Sequence, residues 1–304
     1  MKRILVTGSN GLLGQKLVYM LKHRTDVELI ASARGQNRLI DQSGYQYLSL
    51  DICDKQNVDT VIDLVKPDYI IHTAAMTQVD DCELDHAACD KANVDAVTYI
   101  VEAAERNKSH LVHISTDFIF NGKEGPYDEE GVADPLSYYG NAKWKGELIV
   151  QNSKLKWAIL RTVLVYGIVD NMSRSNIVLW AKGALEKGNP INVVDDQFRS
   201  PTLAEDLAEG CILAVENNAT GIYNISGKDQ FSIIDLVKEV ADYYGLDKSL
   251  INPVSSETLN QPAKRPPITG FILDKARRDL GYNPHSFKEG IALMEKQLEA
   301  MQKA

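Results

Sequence analysis

Positive charge, cysteine and long apolar runs are all scarce in this 304-residue chain. Lysine and arginine number 33 against 42 aspartates and glutamates, a formal charge of −9. Binding a nucleic-acid backbone needs clustered positive charge, so this balance excludes that partner class as an expectation and leaves room only for a local basic pocket around a small anion. The four cysteines, Cys53, Cys82, Cys89 and Cys211, show no CxxC spacing or metal-ligand pattern. They are too few for a disulfide framework, fit a reducing compartment and read as ordinary thiols. No apolar stretch approaches the roughly 20 residues that span a bilayer. The apolar run in the opening MKRILVTGSNG ends after Val6, too short for a signal core. The expectation is a cytoplasmic protein with no membrane or nucleic-acid partner.

What is present is ordinary globular composition, 44% hydrophobic and 25% charged, on a chain long enough for one large or two small domains. Short β-rich runs (Arg3–Thr7, Val27–Ala31, Gln46–Leu50, Tyr69–Thr73, Leu111–Ser115 and Trp157–Leu164) alternate with helical patterns near Leu12–Lys22, Lys55–Val65, Asp85–Arg106 and Tyr138–Asn152. This alternation predicts βαβ crossovers and a Rossmann-type, doubly wound parallel sheet of the α/β class over residues 1–165. Runs such as RILVT and YIIHT lack polar alternation, as strands covered on both faces should. Beyond about residue 165 the rhythm changes. Helical stretches (Ile177–Lys187, Leu203–Asn217, Ile233–Tyr244) separate isolated strands (Ile191–Val194, Gly221–Ile225), and Asn260–Gly270 is proline-rich. Residues 166–304 read as a smaller C-terminal substrate-binding region, with an approximate boundary across which the chain can return.

Gly8, Gly11 and Gly14 lie where the first strand turns into the first helix. Glycines there permit a tight turn, close approach to a pyrophosphate and tight helix–strand packing, while the helix offers free N–H groups and its positive dipole end. Asn10 and Leu12 sit in the same loop. The second strand then chooses the dinucleotide. An acid at its end would bond a ribose 2′-hydroxyl, whereas arginine accommodates a 2′-phosphate. The sequence there is Ala31-Ser32-Ala33-Arg34-Gly35-Gln36-Asn37-Arg38, with Arg34 and Arg38 and no acid. NADP(H) is therefore favoured, with NAD(H) as the alternative. Asp51, followed by Ile52, is placed to meet the adenine amino group or to serve as a plain turn aspartate. Ala74 and Ala75 would let backbone approach the cofactor.

Tyr139 and Lys143 stand one helical turn apart on one face. A lysine there is expected to favour phenolate and lower the tyrosine pKa. The spacing recurs at Tyr244 and Lys248, but that pair crosses Gly245 at a helix end without a companion motif. The first pair has one. Upstream, the fifth strand ends in Ser115-Thr116-Asp117, and the carboxyl ends of parallel strands line the ligand crevice. Thr116 would bring a hydroxyl to a substrate carbonyl.

Together these stretches resemble the extended short-chain dehydrogenase/reductase superfamily over most of the chain and, within it, the dTDP-4-dehydrorhamnose reductase family. The narrower likeness rests on His72-Thr73-Ala74-Ala75-Met76-Thr77-Gln78-Val79-Asp80, on Ile114 to Gly122 (ISTDFIFNG), and on Tyr138–Lys143. Leu160-Arg161-Thr162 with Val165-Tyr166-Gly167, Asp196-Gln197 with Pro201-Thr202, and Arg265-Pro266 complete it. The resemblance implies NADPH-dependent reduction of the C4 keto group of a nucleotide-linked 6-deoxy sugar. Thr116, Tyr139 and Lys143 would be catalytic, and Thr77, Val79, Thr116, Asp117, Leu164 and Arg265 would face the substrate. Related dehydratases carry an acidic pair after the threonine; here Phe118 follows Asp117, which favours simple reduction.

Two positions depart from the pattern. Leu164 stands where relatives commonly have tryptophan near the substrate, reducing stacking area. Lys16 replaces a carboxylate that some relatives use in a metal-assisted dimer contact, so no metal is expected; a homodimer stays open. Two other readings compete: an epimerase or different ketoreductase on the same scaffold, and a non-catalytic NADP-binding regulatory subunit similar to the β subunit of methionine adenosyltransferase.

Overall fold

A computed structural model describes residues 1–172 and 175–303. Six strands, β1 (Lys2–Thr7), β2 (Val27–Ala33), β3 (Gln46–Ser49), β4 (Tyr69–His72), β5 (His110–Thr116) and β6 (Trp157–Thr162), join the strand Gly221–Asn224 in one parallel sheet. The order is Gly221–Asn224, β6, β5, β4, β1, β2, β3. Successive residues of β1 point to opposite faces. Ile4 and Val6 join Leu17 and Val18 of α1 (Leu12–Leu21), whereas Leu5 joins Val58 and Ile62 of α2 (Lys55–Val65). Burial on both faces is why these strands are apolar throughout, each large side chain contributing roughly 1.5–3 kcal/mol. The chain runs β1 to β3 in one direction and returns to build β4 to β6 on the other side of β1. The reversal opens a crevice at the carboxyl ends of β1 and β4, where such folds bind ligands.

The long helix expected over Asp85–Arg106 is divided. A short α3 (Val79–Leu84) precedes α4 (His86–Asp90), whose Asp85 cap accepts from Ala88 N; a π-helical turn, Lys91–Asp95, then leads into α5 (Ala96–Asn107). The bulged turn turns Asn93 inwards, where it brackets Met76, accepting from its N–H and donating to its carbonyl, both at 2.9 Å. Periodicity alone could not foresee this tertiary bond. The strand expected to reach Leu164 stops at Thr162, because Leu164 takes a left-handed φ of 37° that ends the ladder.

The remaining helices are α6 (Tyr138–Gln151), α7 (Ile177–Glu186), α8 (Ala204–Glu216), α9 (Ile233–Tyr244), α10 (Asp274–Leu280) and α11 (Phe287–Lys303). A second apolar cluster gathers Val178 and Leu185 of α7, Val237 and Val240 of α9, and Ile291 and Met294 of α11 around the paired strands Ile191–Val194 and Ile251–Val254. Gly221–Asn224, expected as an isolated strand, instead pairs with β6 on the sheet edge, and α8 packs Leu207 and Cys211 into the α1 side of the main core. The C-terminal half therefore contributes to both layers. Among the described residues no helix is long and apolar enough to cross a membrane.

Candidate active site

The glycine loop forms a cradle that leaves no room for side chains. Gly8 has a φ of 71°, and a Cβ there would lie 2.8 Å from Ala74 N; at Gly14 it would lie 2.2 Å from Gly8 O. The first close approach brings the β1 and β4 loops together, with Thr73 Oγ1 donating to Thr7 O at 2.7 Å. The second seats α1 against the loop. Gly11 caps α1 without a side-chain bond, so the first-turn N–H groups remain for an anion. Asn10 does not point into this cradle. Its side chain donates to Gln36 O and accepts from Arg38 N, both at 2.9 Å, and so fastens the loop that carries Arg34 and Arg38. Both arginines are exposed beside the cradle. A dinucleotide with a 2′-phosphate fits these donors and this shape. Asp51 accepts from Cys53 N at 2.9 Å, holding the turn that carries Ile52.

At the carboxyl end of β5, Thr116, Tyr139 and Lys143 converge. Ser137 caps α6 by accepting from Gly140 N at 3.2 Å, which sets Tyr139 in the first turn facing the crevice. Lys143 Nζ donates to Ile114 O at 2.7 Å. The spacing of Tyr139 and Lys143 predicts a phenol lowered by its lysine; the structure reverses the direction. Tyr139 is buried and its pKa is raised by that burial, with Thr116 opposing the shift. Lys143 is lowered to about 8, also by burial. The phenol thus holds its proton more tightly than a free tyrosine does. Lys248, of the second tyrosine–lysine pair, is engaged by Asp242 at 2.6 Å on the exposed surface.

Asp117 is 2% exposed and faces inwards. It shares a 3.1 Å hydrogen bond with Thr116 Oγ1 and accepts another from Thr269. Thr77 is exposed and Val79 half-buried at the start of α3, beside the cluster that holds Tyr139. Leu164 packs between the two main cores. Arg265 donates to Asp80 at 2.8 Å and to Ala263 O at 3.1 Å, leaving further guanidinium donors free. Sequence reasoning missed Arg199 and Thr269. Arg199 is buried and donates to the carbonyls of Phe198, Pro266 and Pro267, and Thr269 reaches Asp117 across 152 residues. The only available signal for Arg199 was its place between Asp196-Gln197 and Pro201-Thr202.

Comparison with known proteins places this geometry. Residues 1–300 match the RmlD substrate binding domain family. The chain belongs to that family. It is an oxidoreductase of the short-chain dehydrogenase/reductase type. It is 31% identical to a dTDP-4-dehydrorhamnose reductase of Aggregatibacter actinomycetemcomitans, covering 96% of this chain and 97% of that one. A dTDP-4-dehydrorhamnose reductase of Bacillus anthracis, solved in complex with NADP, superposes with a TM-score of 0.83 at 27% identity, covering 97% and 99% of the two chains. Methionine adenosyltransferase 2 subunit beta of Danio rerio is 28% identical over 87% of this chain and 81% of its own. Lys16 Nζ lies 2.8 Å from Glu205.

Proposed function

We propose that the protein reduces the C4 keto group of a nucleotide-linked 6-deoxy sugar, of the dTDP-4-dehydrorhamnose type, with NADPH as reductant. The observation that carries this reading is the meeting of the Gly8–Gly14 cradle with Thr116, Tyr139 and Lys143 at one end of the sheet. Gly8, Gly11, Leu12 and Gly14 would receive the pyrophosphate, Arg34 and Arg38 the 2′-phosphate, Asp51 and Ile52 the adenine side, and Ala74 and Ala75 the middle of the dinucleotide. When bound, NADPH supplies the hydride.

The chain supplies the rest. Thr116 donates to the sugar's carbonyl oxygen and orients it. Tyr139, kept protonated by burial, gives its proton to that oxygen as charge develops there. Lys143, held by the Ile114 carbonyl, keeps a positive charge beneath the phenol and can hold the nicotinamide ribose. Arg265, half-neutralised by Asp80, offers its remaining donors to a diphosphate, with Thr77, Val79 and Leu164 along the sugar. One carboxyl after Thr116, and no second, gives no pair for an elimination.

The test is a panel of keto-sugar nucleotides with NADPH or NADH, followed by loss of nicotinamide absorbance. Oxidation of NADPH on adding a 4-keto-6-deoxy sugar nucleotide supports the reading. No oxidation with any member refutes it, and interconversion of sugars without net oxidation would indicate an epimerase.

A further inference from the structure

Asp117 is a buried carboxyl beside Thr116 and Tyr139, and the chemistry above gives it no role. Its surroundings limit what it can be. One oxygen, Oδ2, accepts the Thr269 hydroxyl. The other, Oδ1, lies 3.1 Å from Thr116 Oγ1. The charged and titratable groups facing it are Arg199, from the short strand Phe198–Arg199, and Tyr139 from α6. Arg199 Nε is 3.9 Å from Oδ2, beyond hydrogen-bond reach, and the guanidinium's other nitrogens go to Phe198 O, Pro266 O, Pro267 O and Gln197 Oε1. The carboxyl is therefore met by two neutral hydroxyls and its own backbone N–H, with the Arg199 guanidinium close by but outside hydrogen-bond reach.

A threonine hydroxyl has a single proton to give. Thr116 Oγ1 already accepts from Phe118 N at 3.2 Å, and its proton can point at Asp117, at the Tyr139 oxygen or at the substrate. A carboxylate at Asp117 would claim that proton and leave the carbonyl oxygen without its donor. A carboxylic acid reverses the bond. With Oδ2 occupied by Thr269, its proton belongs on Oδ1, where it donates to Thr116 and frees the threonine proton to turn outwards. We propose that Asp117 is a positioning residue that, as a neutral carboxylic acid, donates to Thr116 and aims the Thr116 hydroxyl at the substrate carbonyl. Burial, which pushes the Asp117 pKa up against the pull of Arg199, acts in the same direction. The inference rests on the reductase reading for its substrate, but not for the protonation state.

Two measurements separate these. Infrared difference spectra of wild type minus Asp117→Asn, in the absence of any sugar, should show the carbonyl stretch of a protonated carboxyl at neutral pH, fading as the pH is raised. Its absence at neutral pH overturns the proposal. In turnover, Asp117→Leu should lower kcat by about 10²-fold, the lower end of what losing an oxyanion donor costs. Asp117→Asn, whose amide donates permanently to Thr116 while its carbonyl accepts from Thr269, should recover most of that loss. An Asn variant as slow as the Leu variant overturns the proposal. Should the Leu variant fail to fold, the infrared band still decides. A wild type inactive on every keto-sugar nucleotide defeats the substrate reading, while the infrared result stands on its own.

Discussion

Lys143 Nζ donates a 2.7 Å hydrogen bond to the Ile114 carbonyl, which ties the ammonium of α6 to β5 just before Thr116. The lysine is 4% exposed, and burial lowers its pKa from 10.5 to about 8. Between those two values the folded chain holds fewer protons than the unfolded one, so this group's contribution to stability rises with pH across that window. Below about pH 8 the full penalty of a buried ammonium stands, on the order of 3 kcal/mol before relaxation. Lys143→Met should therefore be more stable than wild type at neutral pH by roughly 1–3 kcal/mol, with the gap closing towards pH 10. Chemical denaturation at both pH values measures this, and a variant no more stable at neutral pH would contradict the buried-charge account.

Tyr139→Phe removes the phenol's proton and little else, since the ring is packed among Ala142, Cys82 and Cys89. Turnover should fall by at least about 10²-fold, the scale of a positioned general acid, with NADPH affinity nearly unchanged. Steady-state kinetics with fluorescence titration of NADPH separates the two. Near-normal turnover would remove Tyr139 from the mechanism.

Gly14 has backbone on the side where a Cβ would go, 2.2 Å from Gly8 O and 2.6 Å from Ser9 Cα. Backbone cannot swing aside as a flexible side chain can. Gly14→Ala should cost roughly 1–3 kcal/mol of stability through overpacking and distort the anion cradle. NADPH affinity should drop at least about tenfold by calorimetry, the effect of losing one good charge-assisted bond. Unaltered affinity would place the pyrophosphate elsewhere.

Arg34 and Arg38 lie on the exposed loop that Asn10 fastens to the cradle. Replacing both with alanine should weaken NADPH at least about tenfold and leave NADH within about twofold, because only the former carries a 2′-phosphate for charge-assisted bonds. Parallel titrations with the two cofactors check the difference. Equal losses for both would assign the arginines to the shared part of the dinucleotide.

Away from the site, His285 Nδ1 meets Asp206 Oδ1 at 2.5 Å and anchors the approach to α11. Asp206 raises the His285 pKa above its ordinary 6.5. Asp206 is itself pushed up by burial and pulled back by His285, so the contact is strongest as imidazolium with carboxylate. A raised base stabilises fully below its unfolded pKa and loses that contribution as pH rises through the folded value. The wild type should lose thermal stability relative to His285→Gln as pH is taken from about 6 upwards past the ordinary imidazole range. The effect should be small, because the imidazole is partly exposed. Parallel melting curves for the two proteins would refute it.

The sequence by itself determined the sheet's inner strands, the glycine turn and the Tyr139–Lys143 pair, because each is written in residues within a few positions of one another. Apolar runs mark strands covered on both faces, glycines mark the positions where side chains cannot fit, and a helical turn brings residues four apart onto one face. The same reasoning gave the roles of Asn10 and Asp117 only in outline, since Gln36, Arg38 and Thr269, which they touch, lie elsewhere in the chain. Tertiary structure alone decided that Thr269 reaches Asp117 across 152 residues, that Arg265 pairs with Asp80 across 185, and that Gly221–Asn224 returns to the edge of the main sheet. It also reversed the expected shift of Tyr139. Spacing supplied a lysine beside the phenol, but the direction of the shift was set by how completely water is excluded, a property of all the chain packed around it.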